Sequence, residues 1–149
     1  MKKCFVLLSV ATFFCFSINA QIYKNAIGIR LGANSPAISN GITFKHFISD
    51  KNAVEAIISI NNGVGFCALY QWYNPIASVE NLQWFLGAGA YAASKYKIAN
   101  VGVAGMVGVD YKFAAIPLNI SLDWKPEINI FTKVGFEASG VGFSARFTF

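Results

Sequence analysis

The sequence predicts an all-β fold: an eight-stranded antiparallel up-and-down transmembrane β-barrel. Three observations carry this expectation. The chain opens on an export signal. It has too few charges to wet the outside of a soluble barrel. It closes on Val141 to Phe149, where Val141, Phe143, Ala145, Phe147 and Phe149 alternate with Gly142, Ser144, Arg146 and Thr148. Successive strand residues point to opposite faces, so this last strand has one greasy face and one small or polar face.

The export signal is Met1 to Ala20. Lys2 and Lys3 form the charged start, Phe5 to Phe16 is apolar, and Ile18-Asn19-Ala20 is a cleavage site, cut between Ala20 and Gln21. The apolar run is short for a spanning helix, which needs about 20 residues. A lipoprotein signal at Cys15 wants a small residue where Phe14 stands. Residues 21–149 then form one β-barrel domain of 129 residues (149 less 20).

Loss of Lys2 and Lys3 leaves 10 of the 12 basic residues against 7 acidic ones, a net charge of +3. That is too weak and too scattered for a nucleic-acid partner. Charged residues make up 13% of the chain, about half the roughly one quarter of a soluble domain. The mature part has no apolar run long enough for a spanning helix. A closed barrel, which pairs every backbone group between strands, is the remaining way through a membrane. Cys67 is the one cysteine outside the leader, so it has no disulfide partner within the chain and is read as a small packing residue.

Eight strands follow from period-two alternation. The first, Lys24 to Ala33, sets Ile27, Ile29 and Leu31 against Ala26, Gly28, Arg30 and Gly32. Asn34 to Asn40, with Ser35-Pro36, is a loop. The second, Gly41 to Ile48, sets Ile42, Phe44, His46 and Ile48 against Thr43 and Lys45. Ser49 to Asn52 is a tight turn. The third, Ala53 to Asn61, sets Val54, Ala56, Ile58 and Ile60 against Glu55, Ile57, Ser59 and Asn61. Asn62-Gly63 is a hairpin signal.

The fourth, Val64 to Tyr73, sets Phe66, Ala68, Tyr70 and Trp72 against Gly65, Cys67, Leu69, Gln71 and Tyr73, and a connection runs from Asn74 to Asn81. The fifth, Leu82 to Ala92, sets Leu82, Trp84, Leu86, Ala88 and Ala90 against Gln83, Phe85, Gly87, Gly89 and Tyr91. Ala93 to Asn100 reads as a polar loop. The sixth, Val101 to Phe113, sets Val101, Val103, Val107, Val109 and Tyr111 against Gly102, Ala104, Met106, Gly108, Asp110 and Lys112. Ala114 to Pro117 is a short turn. The seventh, Leu118 to Lys125, sets Leu118, Ile120, Leu122 and Trp124 against Asn119, Ser121, Asp123 and Lys125. Pro126 to Ala138 is the longest connection, and the terminal strand is the eighth.

Eight is an even count, as bacterial single-chain barrels require. The loops at Asn34, Ala93 and Pro126 would face outward with the Asn62-Gly63 turn, and Ser49 to Asn52, Asn74 to Asn81 and Ala114 to Pro117 inward. The apolar faces would point to lipid, with Trp72, Trp84, Trp124, Tyr70, Tyr111, Phe147 and Phe149 in interfacial girdles. The lumen would then hold Arg30, Lys45, Glu55, Asp110, Lys112, Asp123, Lys125 and Arg146, five basic and three acidic residues. An eight-stranded barrel is just wide enough for side chains to fill it. Enclosed charges must pair, so an internal salt-bridge network that plugs the barrel is expected. The alternative is the lining of a narrow, anion-preferring pore.

With these residues in view, the chain from Gln21 to Phe149 resembles the small outer-membrane barrels of the OmpA/OmpX type, in their porin-family-like form. The resemblance rests on the signal, the eight alternating segments, L-Q-W-F-L-G-A-G-A-Y at Leu82 to Tyr91, and the ending F-S-A-R-F-T-F. It implies residence in the cell outer membrane, among lipid and lipopolysaccharide. It also implies insertion by the assembly machinery that reads an aromatic-rich last strand, here Phe147 and Phe149. Ser144 stands where many members carry Gly.

Architecture is more legible here than activity. The one histidine, His46, precedes Ser49 by three residues, which is the wrong spacing for one strand face. No catalytic or metal-ligating set is recognised, and no cofactor is expected. The expected role is structural, a monomeric, non-enzymatic envelope barrel with a filled lumen. Three alternatives remain: a narrow transport or ligand-binding barrel, a surface-loop adhesion protein, and a soluble lipocalin-like barrel. In the last, Ile27, Ile58 and Val107 would line a cavity. Exposed Ile130, Phe131 and Phe136 in the longest loop could bind a partner or extend the barrel as a hairpin.

Overall fold

The computed structural model describes residues 23–35, 38–60, 63–95, 97–131 and 134–149, with position 95 described by its backbone alone. The leader, the Ala20–Gln21 cut, and Asn61 and Asn62 lie outside the described residues. Ten strands make one antiparallel sheet: β1 (Asn25–Ala33), β2 (Gly41–Ser49), β3 (Asn52–Ser59), β4 (Gly63–Pro75), β5 (Leu82–Lys95), β6 (Ile98–Lys112), β7 (Leu118–Trp124), β8 (Glu127–Asn129), β9 (Gly135–Glu137) and β10 (Val141–Thr148). β1 to β7 are neighbours in chain order, and β10 lies between β7 and β1. These eight strands form a closed barrel.

Closure joins the two ends of the chain. β1 and β10 pair from Ala26↔Thr148 to Ala33↔Val141. Beyond them, Asn25 and Phe149 exchange both backbone hydrogen bonds, at 3.0 and 2.9 Å. No barrel strand is left as an open edge, which removes the usual template for aggregation.

The alternation read in the sequence is the alternation of the wall. Ile27, Ile29, Leu31, Ile58, Phe66, Leu86, Val107 and Leu122 are exposed on the outside. Arg30, Lys45, Glu55, Asp123 and Arg146 are buried inside. Apolar residues face out and charged residues face in, the reverse of a lipocalin-like barrel. No outward strand position carries Asp, Glu, Lys or Arg.

Two sequence expectations are corrected. The polar loop expected from Ala93 to Asn100 is mostly strand. β5 and β6 stay paired to Lys95↔Ile98, leaving a turn around Lys97. Tertiary pairing overrides local polarity there, because outward alternation persists through Ala92 and Val101. The second correction concerns Pro126, read as the start of a loop. β7 and β8 sit on β6 in one register: Val107↔Trp124 continues as Gly102↔Asn129. The Gly105 N–H still donates to the Pro126 carbonyl at 2.9 Å. Pro126 removes one donor and leaves the strand's path unchanged. Thus the seventh wall strand runs from Leu118 to Asn129, and β8 with β9 forms a hairpin, paired at Ile128↔Phe136, that raises the wall.

Among the described residues, three non-glycine residues have left-handed backbones: Asn34 (φ 58°), Asn81 (φ 64°) and Lys97 (φ 67°). Asn tolerates this region, whereas Lys has no local hydrogen bond to offset the crowding of its Cβ. Replacing Lys97 with Gly is expected to raise stability by about 1 kcal/mol. Equilibrium urea unfolding of the refolded barrel measures it, and an unchanged midpoint would refute the strain.

Candidate functional site

The interior is the only part of the barrel where titratable side chains from different strands converge among the described residues. Its centre is a closed circuit of polar contacts. Glu55 of β3 accepts from Arg146 Nη2 of β10, Thr43 Oγ1 of β2 and Gln71 Nε2 of β4, the last at 2.6 Å. The Tyr73 hydroxyl donates to Gln71 Oε1 at 2.9 Å. Lys45 of β2 donates to that hydroxyl and to Asp110 Oδ2 of β6, the latter at 3.0 Å. Asn119 of β7 donates to Asp110 Oδ1 and accepts from Arg146 Nη1 at 3.3 Å. Ser121 takes the same Nη1 at 2.8 Å. The circuit Glu55–Gln71–Tyr73–Lys45–Asp110–Asn119–Arg146 therefore ties six strands together across the lumen.

Two further pairs lie nearer the long-loop end. Arg30 grips Asp123 with both terminal nitrogens, Nη2 to Oδ1 at 2.7 Å. Lys125 pairs with Glu127 and donates to the Ile38 carbonyl at 2.9 Å. Ser35 donates to Glu127 at 2.7 Å. Through these contacts the β1–β2 loop is drawn over the opening, with Ile38 buried. Gly142 leaves room here, since a Cβ would overlap the Arg30 guanidinium and force it to shift.

Aromatic rings close the opposite end. Tyr23 and Phe47 meet edge to face at 5.1 Å, Phe47 and Tyr73 at 4.9 Å, and Tyr73 stacks on Phe85 at 5.1 Å. Lys45 Nζ lies 5.1 Å from the Tyr73 ring centre and 5.2 Å from that of Phe85. The ammonium is thus held by a carboxylate, a phenol and two π-faces, which replace its lost hydration.

Among the described side chains the buried charges balance. Arg30, Lys45, Lys125 and Arg146 pair with Asp123, Asp110, Glu127 and Glu55. Lys112 does not join them. It lies at the barrel rim, and its Nζ caps the Phe113 and Ile116 carbonyls of the β6–β7 turn. The expected five-to-three excess of positive charge becomes four to four once Lys112 leaves and Glu127 enters. Glu127 was missed because Pro126 read as a strand stop. The unbroken alternation of Trp124, Pro126, Ile128 and Ile130 with Lys125, Glu127 and Asn129 was the signal that could have found it. Gln71, Tyr73, Thr43, Asn119 and Ser121 were placed inward by parity, but their joining was beyond any pattern along one strand.

The remaining candidates sit elsewhere. Phe147 is exposed on the outer wall, stacked at 6.3 Å on Phe149 beside the point of closure. His46 Nδ1 is 2.8 Å from Asn25 Oδ1, and Ser49 contacts Lys51 and Asn52. These place no nucleophile beside a base. Cys67 is buried on the lumen face of β4. Among the described residues, no three His, Cys, Asp or Glu side chains gather as metal ligands. No protein-family model and no curated protein matches the chain.

Breaking the circuit should be costly. Glu55→Ala is expected to lower unfolding free energy by about 3–5 kcal/mol, because it strands the Arg146 charge. The Glu55→Ala/Arg146→Ala double variant should lose clearly less than the sum of the two single variants. Lys112→Ala should stay within about 0.5 kcal/mol of the parent. Additive losses in the cycle, or a large loss at Lys112, would contradict this map of the lumen.

Proposed function

We propose that this chain is an integral protein of the bacterial outer membrane, a small barrel of the OmpA/OmpX type with a structural, envelope-stabilising role. The observation that carries the reading is the outer wall, whose strand positions hold no charge while Arg30, Lys45, Glu55, Asp110, Asp123 and Arg146 are buried in the lumen. Such a wall is matched to hydrocarbon and mismatched to water. Tyr70, Trp72, Trp84, Phe147 and Phe149 are exposed towards the end where Asn25 pairs with Phe149, as an interfacial aromatic girdle would be. The export signal and the aromatic last strand fit the same route, with delivery to the periplasm and insertion through Phe147 and Phe149.

A filled, neutral lumen supports the structural role over a transport role. Burial is continuous from Ile38 through Arg30, Glu55 and Lys45 to Phe85. Among the described side chains, four buried cations are matched by four anions, with no surplus to draw anions. The barrel acts as a monomeric, non-enzymatic rivet in the membrane, among lipid and lipopolysaccharide.

Expression of the full chain in a Gram-negative host tests this. The protein is expected to stay with outer membranes through carbonate washing and to shift in gel mobility only after boiling. Refolded into a planar bilayer, it should pass no steady current. Release into the soluble periplasm would refute the membrane reading, and sustained conductance would replace the plug with the narrow pore.

A further inference from the structure

Among the described residues outside the closed barrel, large exposed apolar side chains concentrate on the β8–β9 hairpin. Ile128, Ile130, Phe131, Val134 and Phe136 are all exposed, Val134 at 80% and Phe131 at 76%. Their direction is fixed by register. Ile128 pairs with Val103 of the outer wall on one side and with Phe136 on the other. The Ile130 N–H donates to the Val101 carbonyl at 2.9 Å, which holds the arm against β6. On the opposite face Glu127 pairs in register with Glu137, and Asn129 Nδ2 donates to Asn100 at 2.8 Å. The hairpin is amphipathic, and its apolar face is coplanar with the outer wall.

Length says what should cover that face. A membrane strand needs about 9–11 residues. β7 has 7 residues, the fewest of the closed barrel, and β10 has 8, as does β3. At about 3.3 Å per residue and a tilt near 40°, Leu118 to Trp124 rises only roughly 15 Å, against an apolar band about 25 Å tall. Carried on through β8 to Ile130, the same strand rises roughly 30 Å. The wall at β7 and β10 reaches full height only with the hairpin included.

We propose that the outward face of the hairpin, Ile128, Ile130, Val134 and Phe136, is a lipid-contact surface that docks on acyl chains of the outer leaflet. It completes the membrane band on the side where β7 and β10 fall short. This rests on the membrane reading above. Trp124 supports it, since its indole N–H donates to the Ala138 carbonyl at the junction of barrel and hairpin and so needs no water at that depth.

Single cysteines carrying an environment-sensitive fluorophore separate the two readings. Phe136→Cys, Leu86→Cys and Lys97→Cys are placed in a Cys67→Ala background of the mature chain, refolded into phosphatidylcholine vesicles. Nitroxide-labelled acyl chains are one quencher and aqueous iodide is the other. The expected result is loss of fluorescence to lipid nitroxide at 136 as strong as at 86, with iodide quenching only 97. If 86 is quenched by lipid while 136 follows 97 into water, the hairpin proposal is overturned and the wall reading stands. If 86 is also quenched by iodide, the membrane reading itself fails. Protection of 136 from both quenchers would mark a protein partner or a second copy on the β9 edge, and would likewise overturn the proposal.

Discussion

The whole architecture depends on one electrostatic constraint: a charge enclosed in a narrow barrel must meet its counter-charge there. Burying an ion without a partner costs several kcal/mol, more than most single side chains can return. The lumen meets this demand by pairing four cations with four anions, three of the pairs drawn from different strands and the fourth, Lys125–Glu127, from one. Arg30–Asp123, Lys45–Asp110 and Arg146–Glu55 are crosslinks between distant parts of the wall, so the register of the barrel and the pairing of its charges are specified together. A one-residue slip of β10 would turn Arg146 to the outside and leave Glu55 unpaired.

Inner and outer surfaces solve opposite problems. Inside, small residues make room for long ones, as Gly142 does beneath Arg30. Neutral polar groups fill the intervals: Gln71 and Tyr73 relay between Glu55 and Lys45, and Asn119 relays between Asp110 and Arg146. Outside, the side chains need only be apolar and of moderate size. That freedom explains the mixture of Ile, Val, Leu, Ala and Phe at outward positions. Specificity resides in the lumen, and the wall need only stay apolar.

Much of this fold could be read along the chain because a barrel wall is written in period two. Parity alone placed Arg30, Glu55, Asp123 and Arg146 on one side and Ile29, Leu86 and Val107 on the other. Two signals misled. The polar tint of Ala93 to Asn100 suggested a loop where pairing between β5 and β6 prevails. Pro126 suggested a stop where only one hydrogen-bond donor is missing and the register continues. The partners within the lumen were not legible. Which cation meets which anion depends on stagger around the closed sheet, a relation between strands that no single segment carries. The capping of a turn by Lys112, a rim effect at the end of β6, was hidden for the same reason.

The central claim is the inverted polarity of the wall, and the protein carries its own probes for it. Trp72, Trp84 and Trp124 are its three tryptophans, and all three are exposed on the outer face. Their fluorescence should be read in vesicles containing brominated lipids and, separately, in the presence of iodide. This account predicts blue-shifted emission, strong quenching by bromine on the acyl chains and little by iodide. Emission typical of water, quenched by iodide and indifferent to brominated lipid, would contradict it.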